Sequence, residues 1–191
     1  VTAPNPQPHP GTADRRSHFE SLAAEVYEPL QRYLRRRATP EDAEELLDDV
    51  LLVMWRRLGE VPADAVLPWV YGVARRSLAN RRRTNRRRLD LVERLKTTYE
   101  RPLPIDPEAG EEHVELAEAL TELREDDLEL IRLWAWEQLE PREIALVLGT
   151  TANAVSLRLG RVKAKLEKKI TRQRVASGGH KGDEHTGGHR S

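Results

Sequence analysis

Wherever apolar residues recur regularly in this chain they stand three or four positions apart, and no stretch alternates apolar with polar residues at a period of two. The first pattern draws one apolar stripe along a helix. Without the second, a half-buried strand has no face to bury, so the sequence predicts an all-helical fold. "TPEDAEELLDDVLLVMWRRLG", residues 39–59, is the best-marked segment. Thr39 stands where an N-cap belongs, Pro40 at the first helical position, acids in the first turn, and Gly59 at the stop. Ala43, Leu46, Leu47, Val50 and Met54 share the side predicted to pack inward, and Glu41, Glu45 and Asp48 share the reverse.

The same reading divides the chain. Residues 1–17, rich in Pro and otherwise mostly polar, are too polar to offset the entropy of ordering and read as a disordered arm. Phe19, Leu22, Ala23, Val26, Tyr27, Leu30, Tyr33 and Leu34 trace a helix that Pro29 should kink or divide. Another helix runs from Pro68 through Trp69, Val70, Val73, Ala74 and Leu78, with Leu89 to Tyr99 continuing it. "ERPLPIDPEAGEE" holds three prolines in thirteen residues and no periodicity, which marks a flexible linker. Helical spacing resumes at Val114, and the Gly- and His-rich end has no apolar residue after Ala176. The expected organisation is a disordered arm (1–17), a helical domain (18–99), a linker (100–113), a second helical domain (114–172) and a disordered tail (173–191).

Charge is balanced in total and uneven in place. The 191 residues carry 32 Lys and Arg against 32 Asp and Glu, yet "ARRSLANRRRTNRRR", residues 74–88, holds eight arginines in fifteen positions. No cysteine is present, which removes disulfides, thiolate metal sites and cysteine nucleophiles. The amino-terminal segment lacks the apolar core of a signal peptide and no apolar run approaches the ~20 residues of a membrane span. A soluble, cytoplasmic protein without membrane insertion is expected.

"LEPREIALVLGTTANAVSLRLGRVKAKL" has the layout of a helix-turn-helix. Pro141 opens a short helix with an apolar seam of Ile144, Ala145 and Leu148. Gly149 suits a tight turn, and Thr150 or Thr151 caps the next helix. Val155, Leu159 and Val162 should face the core. Asn153, Ser156, Leu157, Arg158, Gly160, Arg161 and Lys163 lie outward, with Arg142 and Thr151 beside them, a face suited to a major groove.

The segments at residues 42–55 and 68–83 resemble the second conserved region of RNA polymerase sigma factors of the extracytoplasmic-function group, and residues 143–166 resemble their fourth region. The likeness spans roughly residues 19–88 and 114–170, in order. It implies a two-domain initiation factor that binds core RNA polymerase, melts the minus-ten element with its first domain and reads the minus-thirty-five element with its second. Glu41, Asp42, Glu45, Asp48, Asp49 and Leu52 then face the clamp helices of the largest polymerase subunit, the flap region is a further contact, and an anti-sigma protein is implied as a partner. The minus-ten element falls to Asp64, Trp69, Tyr71, Arg75, Arg76, Asn80, Arg82 and Arg83, with the loop at residues 59–68 capturing a flipped base. Aromatic rings beside arginines suit strand opening, because a stacked base contributes about 1 to 3 kcal/mol while cations, here including Arg81, neutralise phosphates. Asp48, Arg76, Leu157 and Gly160 depart from residues common in the group, so the base-reading positions are among those that differ.

Other readings account for less. Glu41, Asp42, Glu44, Glu45, Asp48 and Asp49 are placed as helix N-terminal charge and exposure dictate, with no His or Lys spaced for acid and base work, so neither catalysis nor a cofactor is expected. A conventional helix-turn-helix regulator acting without polymerase explains the carboxyl-terminal segment and leaves the acidic helix without a role. His180, His185 and His189 are irregularly spaced in a Gly-rich tail, a weak pattern for a metal, and no metal site is expected.

Overall fold

The computed structural model describes residues 10–92 and 111–178. Seven α helices lie within them: α1 (Pro10–Arg35), α2 (Pro40–Arg56), α3 (Val66–Val92), α4 (Glu111–Thr121), α5 (Glu125–Ala135), α6 (Pro141–Leu148) and α7 (Ala152–Gly178). A short 3-10 turn, Leu58–Glu60, follows α2, and no strand occurs among the described residues. The all-helical expectation holds.

The start signals act as expected in α2, whereas its end falls before the expected stop: the helix closes at Arg56 with Arg57 as C-cap, and Gly59 lies inside the 3-10 turn. The Thr39 hydroxyl accepts the Asp42 amide at 3.2 Å, satisfying one of the donors a helix start leaves open. Ala43, Leu46, Leu47, Val50 and Met54 are all buried. They meet Val26, Leu30 and Leu34 of α1 and Val66, Val70, Val73, Ala74 and Leu78 of α3 in one apolar core. Each fully buried side chain of this kind contributes about 1.5–3 kcal/mol by leaving water.

Three expectations need correction at the amino-terminal end. Helix α1 begins at Pro10, so residues 10–17 are helical and only 1–9 of the expected arm lie outside the described residues. The reason is tertiary. Arg15 donates from Nη2 to the Trp55 carbonyl at 2.8 Å, its guanidinium lies 5.0 Å from the Trp55 ring centre, and Phe19 meets that ring edge-on at 5.3 Å. Of the two outcomes expected at Pro29, division does not occur, since α1 runs through it, and Tyr27, assigned to the apolar stripe, is 45% exposed. The linker at residues 100–113 lies almost wholly outside the described residues and the Gly- and His-rich tail mostly so, while α3 is described to Val92.

The last four helices dock on the first three. Helix α6 lies against α3 where Gly72 is buried, and a methyl added at Gly72 would come within 3.7 Å of the Val147 Cα. Beside this contact Arg37, at the end of α1 and only 7% exposed, bridges the two groups. Its Nε donates to Glu129 at 3.1 Å and its Nη1 to Glu137 at 2.9 Å. The Tyr33 hydroxyl donates to Glu129 at 3.2 Å, Arg36 reaches Glu137 at 3.3 Å, and Tyr33 stacks on Tyr71 at 4.6 Å. Burial lowers the Arg37 pKa, but Glu129 next to it, then Tyr33 and Glu137, carry it above the ordinary guanidinium value. Burial first, and Glu129 second, push the Tyr33 hydroxyl well above the usual phenol range, so it stays a donor.

Candidate nucleic-acid interface

Two helices carry the cations that sequence reasoning singled out, and each is aimed by its neighbours. Helix α3 is held by its apolar side against α1 and α2, which turns Arg76, Asn80, Arg82 and Arg83 outward as expected. Arg75 is half-buried. Tyr71 does not join them: it is 2% exposed, with its ring against Tyr33, so the expected base-stacking position is closed in this arrangement. Burial, then Glu137, raise its hydroxyl pKa above the ordinary phenol value. Trp69 is half-buried under the Arg57 guanidinium, 5.6 Å from its ring centre, and Arg57 is itself paired with Glu60 in the 3-10 turn. Asp64 is exposed in the loop before α3.

Arg81 also departs from expectation. Instead of facing solvent with the rest of the tract, its Nη1 bridges Asp42 at 3.1 Å and Glu45 at 2.6 Å. The hydrogen bond it donates to Glu45 raises the Arg81 pKa against the opposing effect of burial. The acidic side of α2 is therefore tied to α3 along one edge. Glu41, Asp48, Asp49 and Leu52 remain outward, Leu52 with 44% of its surface exposed.

The helix-turn-helix forms as its residues predict. Pro141 opens α6, the Glu140 amide donates to the Glu143 carboxylate at 2.7 Å, and Ile144 and Ala145 are buried. Leu148 is partly buried and Val147 takes the deeper place, facing α3. Gly149 adopts φ 67° and ψ 43°, the left-handed region that disfavours a side chain. Thr151, rather than Thr150, caps α7 by accepting the Ala154 amide at 3.2 Å. Val155, Leu159 and Val162 are buried as expected.

Outside that seam, Asn153, Ser156, Leu157, Gly160 and Arg161 are exposed, and Arg142 sits at the start of α6 beside Glu140, 3.1 Å away. Arg161 donates to the Leu157 carbonyl of its own helix at 3.3 Å. Two cations are held by the protein. Arg158 donates from Nε to Asp127 at 2.7 Å, and the Lys163 ammonium lies 3.2 Å from the centre of the Trp134 ring. A cleft of roughly 290 Å³ between α3, α5 and the helix-turn-helix places Arg75 and Arg158 near Asp126 and Glu129.

Sequence reasoning missed Gly72, Arg37, Glu129 and Glu137, which fix how the two cationic helices sit together. Arg37 and its two carboxylates are 92 and 100 positions apart, Gly72 and Val147 are likewise distant in the chain, and no local pattern announces them. Among the described residues no group of three His, Asp or Glu is placed to hold a metal, and no helix is long and apolar enough to cross a membrane. The tail histidines lie outside the described residues.

Over 158 aligned positions the chain is 27% identical to RNA polymerase sigma factor NccH of Alcaligenes xylosoxydans xylosoxydans, and the alignment takes in 78% of this chain and 84% of that protein. The chain is thus similar to an RNA polymerase sigma factor over most of its length. Among solved structures, sigma factor RpoE from Bartonella quintana, in complex with the anti-sigma factor NepR, matches with a TM-score of 0.59 and 16% identity, over 80% of this chain and 96% of that one. CnrH in complex with the cytosolic domain of CnrY matches with a TM-score of 0.53 and 23% identity, over 81% and 88%. At these identities the structures speak for the fold, which is the one the resemblance to extracytoplasmic-function sigma factors implies. No family model matches the chain.

Proposed function

We propose that the protein is a transcription initiation factor that binds core RNA polymerase and directs it to specific promoters, with the first three helices serving the minus-ten element and the helix-turn-helix the minus-thirty-five element. The observation that carries this reading is the match to a sigma factor over 78% of the chain. The surfaces agree with it. The exposed acids of α2 offer a negative face to a basic partner, favouring encounter and register. Arg76, Arg82 and Arg83 on α3 and Arg161 on α7 offer cations to phosphates, whose neutralisation releases counterions. Asn153 and Ser156 are exposed at the start of α7, where a recognition helix meets base edges. Trp69, half-buried at the head of α3, is the aromatic left for an unpaired base. An anti-sigma protein is a fitting partner because the RpoE structure is a complex with one. In this reading the protein acts in the cytoplasm.

Run-off transcription with purified core polymerase tests the reading. The full chain should create new start sites that core enzyme alone does not use. Arg161→Ala should weaken use of the upstream element, and Trp69→Ala with Arg82→Ala should impair strand opening. Absence of any complex with core polymerase in a pull-down defeats it.

A further inference from the structure

Helix α5 opens with three consecutive acids, Glu125, Asp126 and Asp127. Acids belong at a helix start, where they meet the positive end of the helix dipole, so their presence alone says little. What the dipole does not account for is their company. Arg82 reaches in from α3 to Glu125, Nη1 to Oε1, at 2.6 Å. Arg158 reaches in from α7 to Asp127 at 2.7 Å, with Asp126 4.0 Å from its Nη2. One turn of helix thus holds an arginine from each of the two surfaces assigned to DNA. The pairs have the chemistry of a phosphate contact, a guanidinium on an oxyanion with charge-assisted hydrogen bonds.

We propose that the first turn of α5 is an internal substitute for the phosphate backbone, which occupies Arg82 and Arg158 in the free chain and must be displaced before either touches nucleic acid. This rests on the proposed function, since it takes both arginines as DNA contacts. The first pair suits displacement best, since both side chains of Arg82–Glu125 face solvent (49% and 77% exposed); in the second the Arg158 side chain is 40% exposed while Asp127 is partly buried. Ion pairs this open are individually weak, so competing phosphates can replace them. The deeper Arg37 bridge keeps α5 near both arginines, so the acids compete from a high local concentration.

The experiment measures binding of the full chain, without polymerase, to a labelled DNA duplex. Glu125→Gln, Asp126→Asn and Asp127→Asn together should tighten binding about three- to tenfold, the sum of one exposed and one partly buried pair. Three exposed acids of α1, changed as Glu20→Gln, Glu25→Gln and Glu28→Gln, alter net charge equally and should change binding less than about twofold. In a background carrying Arg82→Ala and Arg158→Ala, the gain from neutralising α5 should vanish. Glu125→Gln alone, at an open side chain that folding does not need, should give a smaller gain that depends on Arg82 only. Equal tightening by the α1 control, or a gain that survives loss of both arginines, overturns the proposal. If neutralising α5 changes nothing while removing the arginines from that variant still weakens binding, the substitute fails and the DNA assignment stands. If removing the arginines from the neutralised variant leaves affinity unchanged, the DNA assignment itself is what failed.

Discussion

Helices α3 and α7 both display a row of basic residues, but they hold them differently. On α3 the cations are crowded in sequence and sorted in space: Arg81 is clamped by α2, Arg82 leans on α5, and Arg76 and Arg83 are left outward. On α7 they are spaced along the helix, and each has a different holder: an acid for Arg158, an aromatic ring for Lys163, its own backbone for Arg161. A run of like charges in a sequence is therefore not yet a surface. Which cations are available depends on the nearest helix that carries acids, and here α2 and α5 do the sorting.

The strongest way to break the comparison is to release the bridge that brings α5 to both helices. Arg37→Ala takes away the cation that Glu129 and Glu137 share, leaving Glu129 with the Tyr33 hydroxyl and Glu137, whose side chain is only 3% exposed, with Arg36 alone. It should cost about 3 kcal/mol in chemical denaturation, the lower end of what breaking a buried pair costs, because Arg36 still answers part of the charge. Adding Glu137→Ala should then cost less than the sum of the two single changes, because the two side chains share one network. Next in size is the seam between α3 and α6. Gly72→Leu should lose about 1–3 kcal/mol by wedging α6 away, whereas Gly72→Ala, whose methyl meets Val147 at ordinary contact distance, should stay within about 1 kcal/mol of the parent. A change confined to α7 comes third. Gly149→Ala forces a side chain into the left-handed region and should cost about 1–2 kcal/mol, lowering the melting temperature. The smallest effect sharpens the contrast most directly. Arg161→Ala should reduce the salt dependence of duplex binding by about one unit of slope, and Arg81→Ala should leave that slope unchanged because α2 already holds Arg81.

Much of this molecule was legible where cause and effect lie within one or two turns of helix. The five inward residues of α2, the Thr39 cap and the positive φ of Gly149 each follow from neighbours a few positions away. The helix-turn-helix face was legible for the same reason: which residues of α7 point outward is set once Val155, Leu159 and Val162 are buried. What was not legible depends on residues far apart in the chain. Tyr71 reads as an exposed aromatic beside arginines until Tyr33 is found stacked on it. Arg81 reads as one more cation until Asp42 and Glu45 arrive from another helix. Residues 10–17 lack an apolar stripe of their own and are helical because Arg15 and Phe19 find Trp55. In each case a tertiary contact overrides a correct local inference, and the site residues it affects are those nearest the joints between helices.

The Arg37 bridge has a consequence for anyone recombining this protein with its relatives. A single side chain at the end of the first helix requires a carboxylate 92 positions later and another 100 positions later. A chimera that joins the amino-terminal helices to a foreign carboxyl-terminal half inherits a desolvated guanidinium that the new half must answer at two places. Splice points chosen in the intervening segment therefore do not yield interchangeable parts, and successful hybrids will be those that carry positions 37, 129 and 137 across together.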